Sequence, residues 1–152
     1  MKHYTITVKS GANTIKIIGS EIDLLNVLWI FRIKKYYNFD IEKLKNIIIK
    51  RYYKLNSNII NKLIYSETFE EIKEIMQKTV YKEIFTNENE LEENIDRYLY
   101  KINKKIFRND FKSIAYVFAY INIIDYENND IINTIEAIRY NMDKQEILKR
   151  LV

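Results

Sequence analysis

An all-α protein is predicted by three features of this sequence. There is no Pro and there are only two Gly, Gly11 and Gly19, so the residues that most strongly interrupt helices are nearly absent. Apolar residues recur at three- and four-residue spacing through most of the chain, the signature of amphipathic helices. Residues Ile22 to Leu44 also recur in register at Tyr126 to Ile147. Asp23 falls on Glu127, Val27 on Ile131, Leu28 on Ile132, Phe31 on Ile135, Lys35 on Arg139 and Tyr36 on Tyr140. With Tyr37 as a one-residue insertion, Asn38 falls on Asn141, Asp40 on Asp143, Leu44 on Ile147 and Ile48 on Leu151. A period of about a hundred residues exceeds the roughly 20 to 50 of small-repeat solenoids. The pattern describes a duplicated module of antiparallel helices, with copies at 22–48 and 126–152, the second cut off where the chain ends.

The first eighteen residues stand apart. Tyr4, Ile6 and Val8 alternate with polar residues, and Ser10-Gly11-Ala12-Asn13 suggests a turn before Thr14 to Ile18. That is the pattern of a short β-hairpin, so residues 1–18 are expected to form a separate N-terminal segment and 19–152 the helical domain. Ser20 is placed to cap a helix whose apolar positions, among them Ile22, Leu25, Trp29 and Ile33, cover most of its circumference, as in a buried helix. Asp40 is placed to cap a second helix with Ile41, Leu44, Ile47 and Ile48 inward, and Asn56 a third through Ile59, Ile60 and Leu63.

Thr68 followed by Glu71 fits a capping box, each side chain accepting from the other's backbone N–H. The helix it opens turns Phe69, Ile72, Ile75 and Met76 inward. Glu88, Glu90, Glu92 and Glu93 crowd the start of the next, where negative charge favours the helix dipole, and Leu91, Ile95, Leu99, Ile102 and Ile106 follow at helical spacing. From Phe111 the pattern is helical to Ile124. Local propensity makes Asp125 to Asp130 a turn, but its repeat partners lie inside a helix, and continuity with at most a mild kink is expected.

Composition bounds the chemistry. At 152 residues the chain is long enough for one domain with a real core. The absence of Cys removes disulfides, thiolate metal sites and thiol nucleophiles, and an intracellular protein is the default. Met1 to Gly19 lacks the apolar run of a signal peptide, and Ile114 to Ile124 is half the roughly 20 residues of a membrane-spanning helix. His3 is the single histidine and sits near a terminus, so neither a catalytic nor a metal-ligating role is expected. The Glu88 to Glu93 carboxylates read as a solvated face, and the pairs Asp125 with Glu127 and Glu92 with Asp96 as surface charge. Neither Gly belongs to a phosphate-binding loop. No cofactor, metal or catalytic residue is expected.

The net charge of +4 conceals a gradient. Residues 1–66 hold 12 Lys/Arg against 4 Asp/Glu, 67–100 hold 4 against 10, and 101–152 hold 9 against 7. Such segregation can steer a partner. With thirteen Tyr and the run Lys50-Arg51-Tyr52-Tyr53-Lys54, it leaves open a small basic protein that binds nucleic acid or another acidic partner by stacking and neutralisation. That alternative requires Lys34, Lys35, Lys43, Lys45, Lys50 and Arg51 to form one patch. At 100° per residue Asp23, Asn26 and Lys34 share one side of their helix. Arg32 lies opposite, among Leu25, Leu28, Trp29 and Tyr36, where a buried guanidinium must find a partner because an unpaired buried charge costs about 3–5 kcal/mol.

The stretch Gly19-Ser-Glu-Ile-Asp-Leu-Leu-Asn-Val-Leu-Trp-Ile-Phe-Arg-Ile-Lys-Lys-Tyr-Tyr37 resembles the signature helix of the C-type stalk component of archaeal and bacterial V/A-type ATPases, the counterpart of the d component of eukaryotic V-type ATPases. The resemblance continues through Tyr53-Lys-Leu55, Ser66-Glu-Thr-Phe-Glu-Glu71, Thr79-Val-Tyr81 and Glu93-Asn-Ile-Asp-Arg-Tyr-Leu99. It ends in a second signature helix, Ile135-Glu-Ala-Ile-Arg-Tyr140. It implies repeated helical modules and a non-catalytic role in ion transport: a funnel seated on the membrane rotor ring at the cytoplasmic face, into which the central shaft inserts, peripheral to the membrane. The positions it singles out are Asp23, Asn26 and Arg32 in the first signature helix and Glu127, Asp130 and Glu136 in the second, as organisers of helix junctions or points of partner contact. Lys50-Arg51 replaces a usual Gly pair, Asp130 stands where the family tends to have Asn, and the chain holds one module and the opening of another.

Overall fold

A computed structural model describes the backbone of residues 2–37 and 40–152 and the side chains of 11–37, 40–148 and 151–152. The described residues contain seven α-helices and no strand: α1 (Lys2–Tyr36), α2 (Ile41–Ile47), α3 (Ser57–Tyr65), α4 (Phe69–Met76), α5 (Leu91–Asn109), α6 (Ile114–Arg139) and α7 (Lys144–Arg150), with a 3₁₀ turn at Glu88–Glu90. The fold is all-α, as the sequence implies.

The N-terminal hairpin is not formed. Residues 2–18 are helical, and α1 runs through both glycines to Tyr36. Ser20 is therefore not a cap but a buried residue inside the helix. The period-two alternation loses to tertiary contact: Ile17 is buried with Ile102, Ile106, Ala115 and Ala119, and the Asn13 amide donates to Asp110 Oδ2 at 2.8 Å. Packing of this kind overrides local preference. The side chains of His3, Tyr4, Ile6 and Val8, and all of Asn38, lie outside the described residues.

Two compact units divide the chain, Ile18–Glu92 and Met1–Ile17 with Glu93–Val152. In the first, Leu24, Val27, Ile30 and Phe31 of α1 are buried with Leu63 and Ile64 of α3, Ile72 and Met76 of α4, and Tyr81 and Phe85 beyond it. Phe31 meets Phe69 edge to face at 5.7 Å between centroids, a favoured quadrupole arrangement. The other expected caps form, Asp40 accepting from Glu42 N–H and Asn56 from Ile59 N–H, but Ile41 and Ile47 of α2, expected inward, are 39% and 38% exposed because only one face of this short helix meets the core. At α4, Thr68 Oγ1 accepts from Glu71 N–H at 3.3 Å, while Glu71 reaches one residue beyond the box, to Glu67 N–H at 2.8 Å.

In the other unit α6 presents small residues to its neighbours. Ala115, Ala119 and Ala137 are buried, and Phe107 of α5 stacks on Tyr116 at 4.5 Å and on Tyr120 at 5.7 Å. Helix α6 passes unbroken through Asp125 to Asp130. It ends where Asn141 takes φ 53°, with Met142 N–H donating to Ala137 O and Asn141 N–H to Ile138 O, each at 3.0 Å. That is the Schellman pairing, which Asn tolerates better than most residues.

Candidate functional site

Small and polar residues of α1 receive an irregular segment of the same unit. Asp23 and Asn26, both 0% exposed, follow Gly19 by four and seven residues and so share its helix face. The Asp23 carboxylate accepts four hydrogen bonds: Tyr53 N–H at 3.0 Å on Oδ1, and on Oδ2 Lys54 N–H at 2.7 Å, Leu55 N–H at 3.1 Å and the Tyr81 hydroxyl at 2.9 Å. The Asn26 amide holds both ends of one residue, donating to Ile49 O and accepting from Ile49 N–H, each at 2.9 Å. Ile49 and the N–H groups of residues 53–55 thus find their partners in two buried side chains instead of in a helix or sheet. Gly19 lets this segment approach, since a Cβ there would stand 2.6 Å from Tyr53 Cβ and 2.7 Å from Cγ.

Tyr53 is anchored through its own N–H and cannot retreat easily. Gly19→Ala is expected to cost about 1–3 kcal/mol from overpacking, reduced by Ala's higher helix propensity, and a urea titration measures it.

Arg32 departs from expectation. It pairs with Glu92 through two guanidinium nitrogens, Nε to Oε1 at 2.7 Å and Nη2 to Oε2, but its side chain is 44% exposed and that of Glu92 46%. The helix sector around it is only half buried: Tyr36 is 64% exposed. The pair is a solvated one, so Arg32→Ala is expected to change stability by less than about 1 kcal/mol, read from the shift in thermal midpoint. Among the basic residues, Lys34 donates to Ser66 O, and burial lowers its pKa against the opposing pull of Glu71 and Glu67. Lys35 pairs with Glu88 and Lys45 with Glu42, at 2.8 and 2.9 Å. These three cations are engaged within the fold.

The second-copy positions lie on α6. Glu127 is exposed and accepts from the Tyr100 hydroxyl at 3.2 Å. Glu136 is exposed, and its carbonyl accepts Tyr140 N–H at 3.0 Å. Asp130 Oδ2 accepts Val152 N–H at 3.2 Å. Because Ile48 falls on Leu151, Ile49 falls on Val152, and this bond is the counterpart of the one from Ile49 N–H to Asn26. The helices that follow match as well: α2 and α7 are each seven residues, capped by Asp40 and by Asp143, which accepts from Gln145 N–H. The internal repeat is therefore a repeat of hydrogen bonds as well as of sequence. Asp130 lacks the amide donor with which Asn26 completes its clamp.

Two participants escape a reading of the sequence. Gly19 looks like an unassigned helix glycine until Tyr53 is seen above it, and Tyr81 joins Asp23 across 58 residues. The available signal is the spacing of Gly19, Asp23 and Asn26 on an otherwise apolar helix.

The sequence matches the family described as ATP synthase (C/AC39) subunit over residues 2–150. The chain belongs to this family. No curated protein and no solved structure matches it. Membership in an ATPase-subunit family accords with the resemblance carried by the two signature helices, in which the Asn26 clamp and its Asp130 counterpart are found. Among the described residues no helix is long and apolar enough to cross a membrane, and no group of His, Cys, Asp or Glu is arranged to hold a metal.

Proposed function

We propose that the chain is a non-catalytic coupling subunit of a rotary V/A-type ATPase, a socket between the membrane rotor ring and the central shaft at the cytoplasmic face. The family match over residues 2–150 carries this reading. Its demand is mechanical: torque must pass through the protein without loss, which requires stiff junctions and not bond chemistry. The clamps at Asp23 and Asn26 supply such junctions by fixing an irregular segment to α1 through side chains that are themselves fully buried. Satisfied buried polar networks of this kind rigidify a core and select one arrangement. Asp130 acts in the same way on the backbone that follows α7, and Arg32, Glu127 and Glu136 stand at surfaces where shaft or ring subunits are met.

The test is recovery of the tagged chain from detergent-solubilised membranes of its source at two salt concentrations, with partners identified by mass spectrometry. Ring or shaft subunits are expected in the eluate. Their absence at both salts, with soluble proteins or nucleic acid in their place, would overturn the coupling role.

A further inference from the structure

The net charge of the chain resides in one helical hairpin. Residues 101–124, the last part of α5, the turn and the start of α6, hold Lys101, Lys104, Lys105, Arg108 and Lys112 against a single carboxylate, Asp110. That excess equals the +4 of the whole protein, so the rest of the chain is balanced. Asp110 is half-buried and engaged, its Oδ2 accepting from the Asn13 amide at 2.8 Å and from the Ser113 hydroxyl at 2.6 Å. Among the described residues none of the five cations forms an ion pair with a carboxylate.

Spacing gathers four of them. Lys101, Lys104, Lys105 and Arg108 stand at i, i+3, i+4 and i+7, one face of α5, while Ile102 and Ile106 are buried on another. Lys101, Lys105 and Arg108 are exposed, and Lys104 is half-buried against the Tyr100 ring, 4.8 Å from its centre. Like charges at such spacings weaken a helix, so this stripe is not there for the stability of α5. The turn beyond it is apolar. Phe111 is 68% exposed and Ile114, the first residue of α6, 62%, and Lys112 Nζ stands 5.5 Å from the centre of the Phe111 ring. Both apolar residues lie ahead of Tyr126, where the second copy of the repeat begins.

We propose that the α5–α6 hairpin docks on the surface of an anionic lipid bilayer, Phe111 and Ile114 entering the headgroup boundary and the cations meeting lipid phosphate and carboxylate groups. Long basic side chains lay their stems along apolar surface and keep their heads in water, which suits them to flank an inserted tip. A small apolar insertion is weak by itself and needs an electrostatic second contact. Each cation near an anionic membrane surface strengthens binding about fivefold. A nucleic acid would engage the stripe and stack on Phe111, but it has no apolar phase to receive Ile114. The proposal stands on the hairpin alone and does not depend on the coupling role.

Co-sedimentation of the full chain with vesicles tests it. The chain is expected to pellet with vesicles of equal parts phosphatidylserine and phosphatidylcholine, to remain in the supernatant with phosphatidylcholine alone, and to be released as salt screens the attraction. The variant K101Q/K105Q/R108Q, at three exposed positions, should bind about a hundredfold more weakly, and F111S about tenfold, both with the parent's helical circular dichroism. The proposal fails if the parent does not pellet with the mixed vesicles, or if the triple variant pellets as well as the parent. Undiminished binding by F111S would refute insertion of the tip. Retention of a single-stranded oligonucleotide without any vesicle binding would reassign the stripe to nucleic acid. Because only lipid and the chain are present, none of these outcomes decides whether ring or shaft subunits bind.

Discussion

Asp23→Ala is expected to lower the unfolding free energy by about 3–5 kcal/mol, the cost of removing one partner from a buried charged network. Three consecutive backbone N–H groups and the Tyr81 hydroxyl lose their acceptor together, and no neighbouring residue of a helix or sheet stands ready to replace it. A typical domain is stable by about 5–15 kcal/mol, so a denaturant titration should show a large fall in the midpoint. Asp23→Asn separates charge from shape. It retains one acceptor oxygen but turns an NH₂ group toward N–H donors, so it should lose most of the same stability. Tyr81→Phe removes the hydroxyl that donates to Asp23 and should cost about 1–3 kcal/mol. A result in which Asp23→Asn matched the parent would mean that the carboxylate contributes little beyond its volume.

Asn26→Asp is expected to destabilise by about 2–4 kcal/mol, although it swaps residues of nearly equal size. Asn26 is 0% exposed and donates to Ile49 O while accepting Ile49 N–H. A carboxylate keeps the second bond but sets an anion against a carbonyl oxygen in place of the first. The repeat supplies the contrast, because at the equivalent position Asp130 accepts Val152 N–H from a half-buried site. Solvent can reach a carboxylate there. Titrating Asn26→Asp at pH 4 and pH 7 distinguishes charge from geometry: the deficit should shrink at the lower pH, where the new carboxyl becomes protonated and regains a donor.

The helices of the middle and second half are legible because their signals are local and mutually consistent. Asp40, Asn56 and Thr68 cap where their side chains permit, and Leu91 to Ile106 are buried on the face their spacing selects. Continuity of α6 through Asp125 to Asp130 follows from the repeat, against the local composition. The N-terminal segment misleads because period-two alternation and Ser10-Gly11 are equally local, whereas the packing of Ile17 with α5 and α6 joins residues about ninety positions apart. Arg32 misleads for a related reason. A helical wheel gives direction but not what lies in that direction, and here it is Glu92 and water. At the site, Asp23 and Asn26 stand out as polar residues on an apolar helix, but apart from the Tyr81 hydroxyl their partners are backbone groups, which have no letter in the sequence. Gly19 is silent until the ring of Tyr53 is placed over it.

The Asp23 clamp also changes what kind of object residues 53–55 are. An irregular connection between helices ordinarily behaves as a hinge, opening and closing independently of the body it joins. Here three successive amides are tied to a side chain rooted in the middle of α1, so that segment cannot breathe unless α1 and Tyr81 let go of it. Its amide protons should therefore exchange with solvent on the timescale of the helical core and not on that of a loop. A load applied at one end of this unit would find a strut where the chain trace suggests slack.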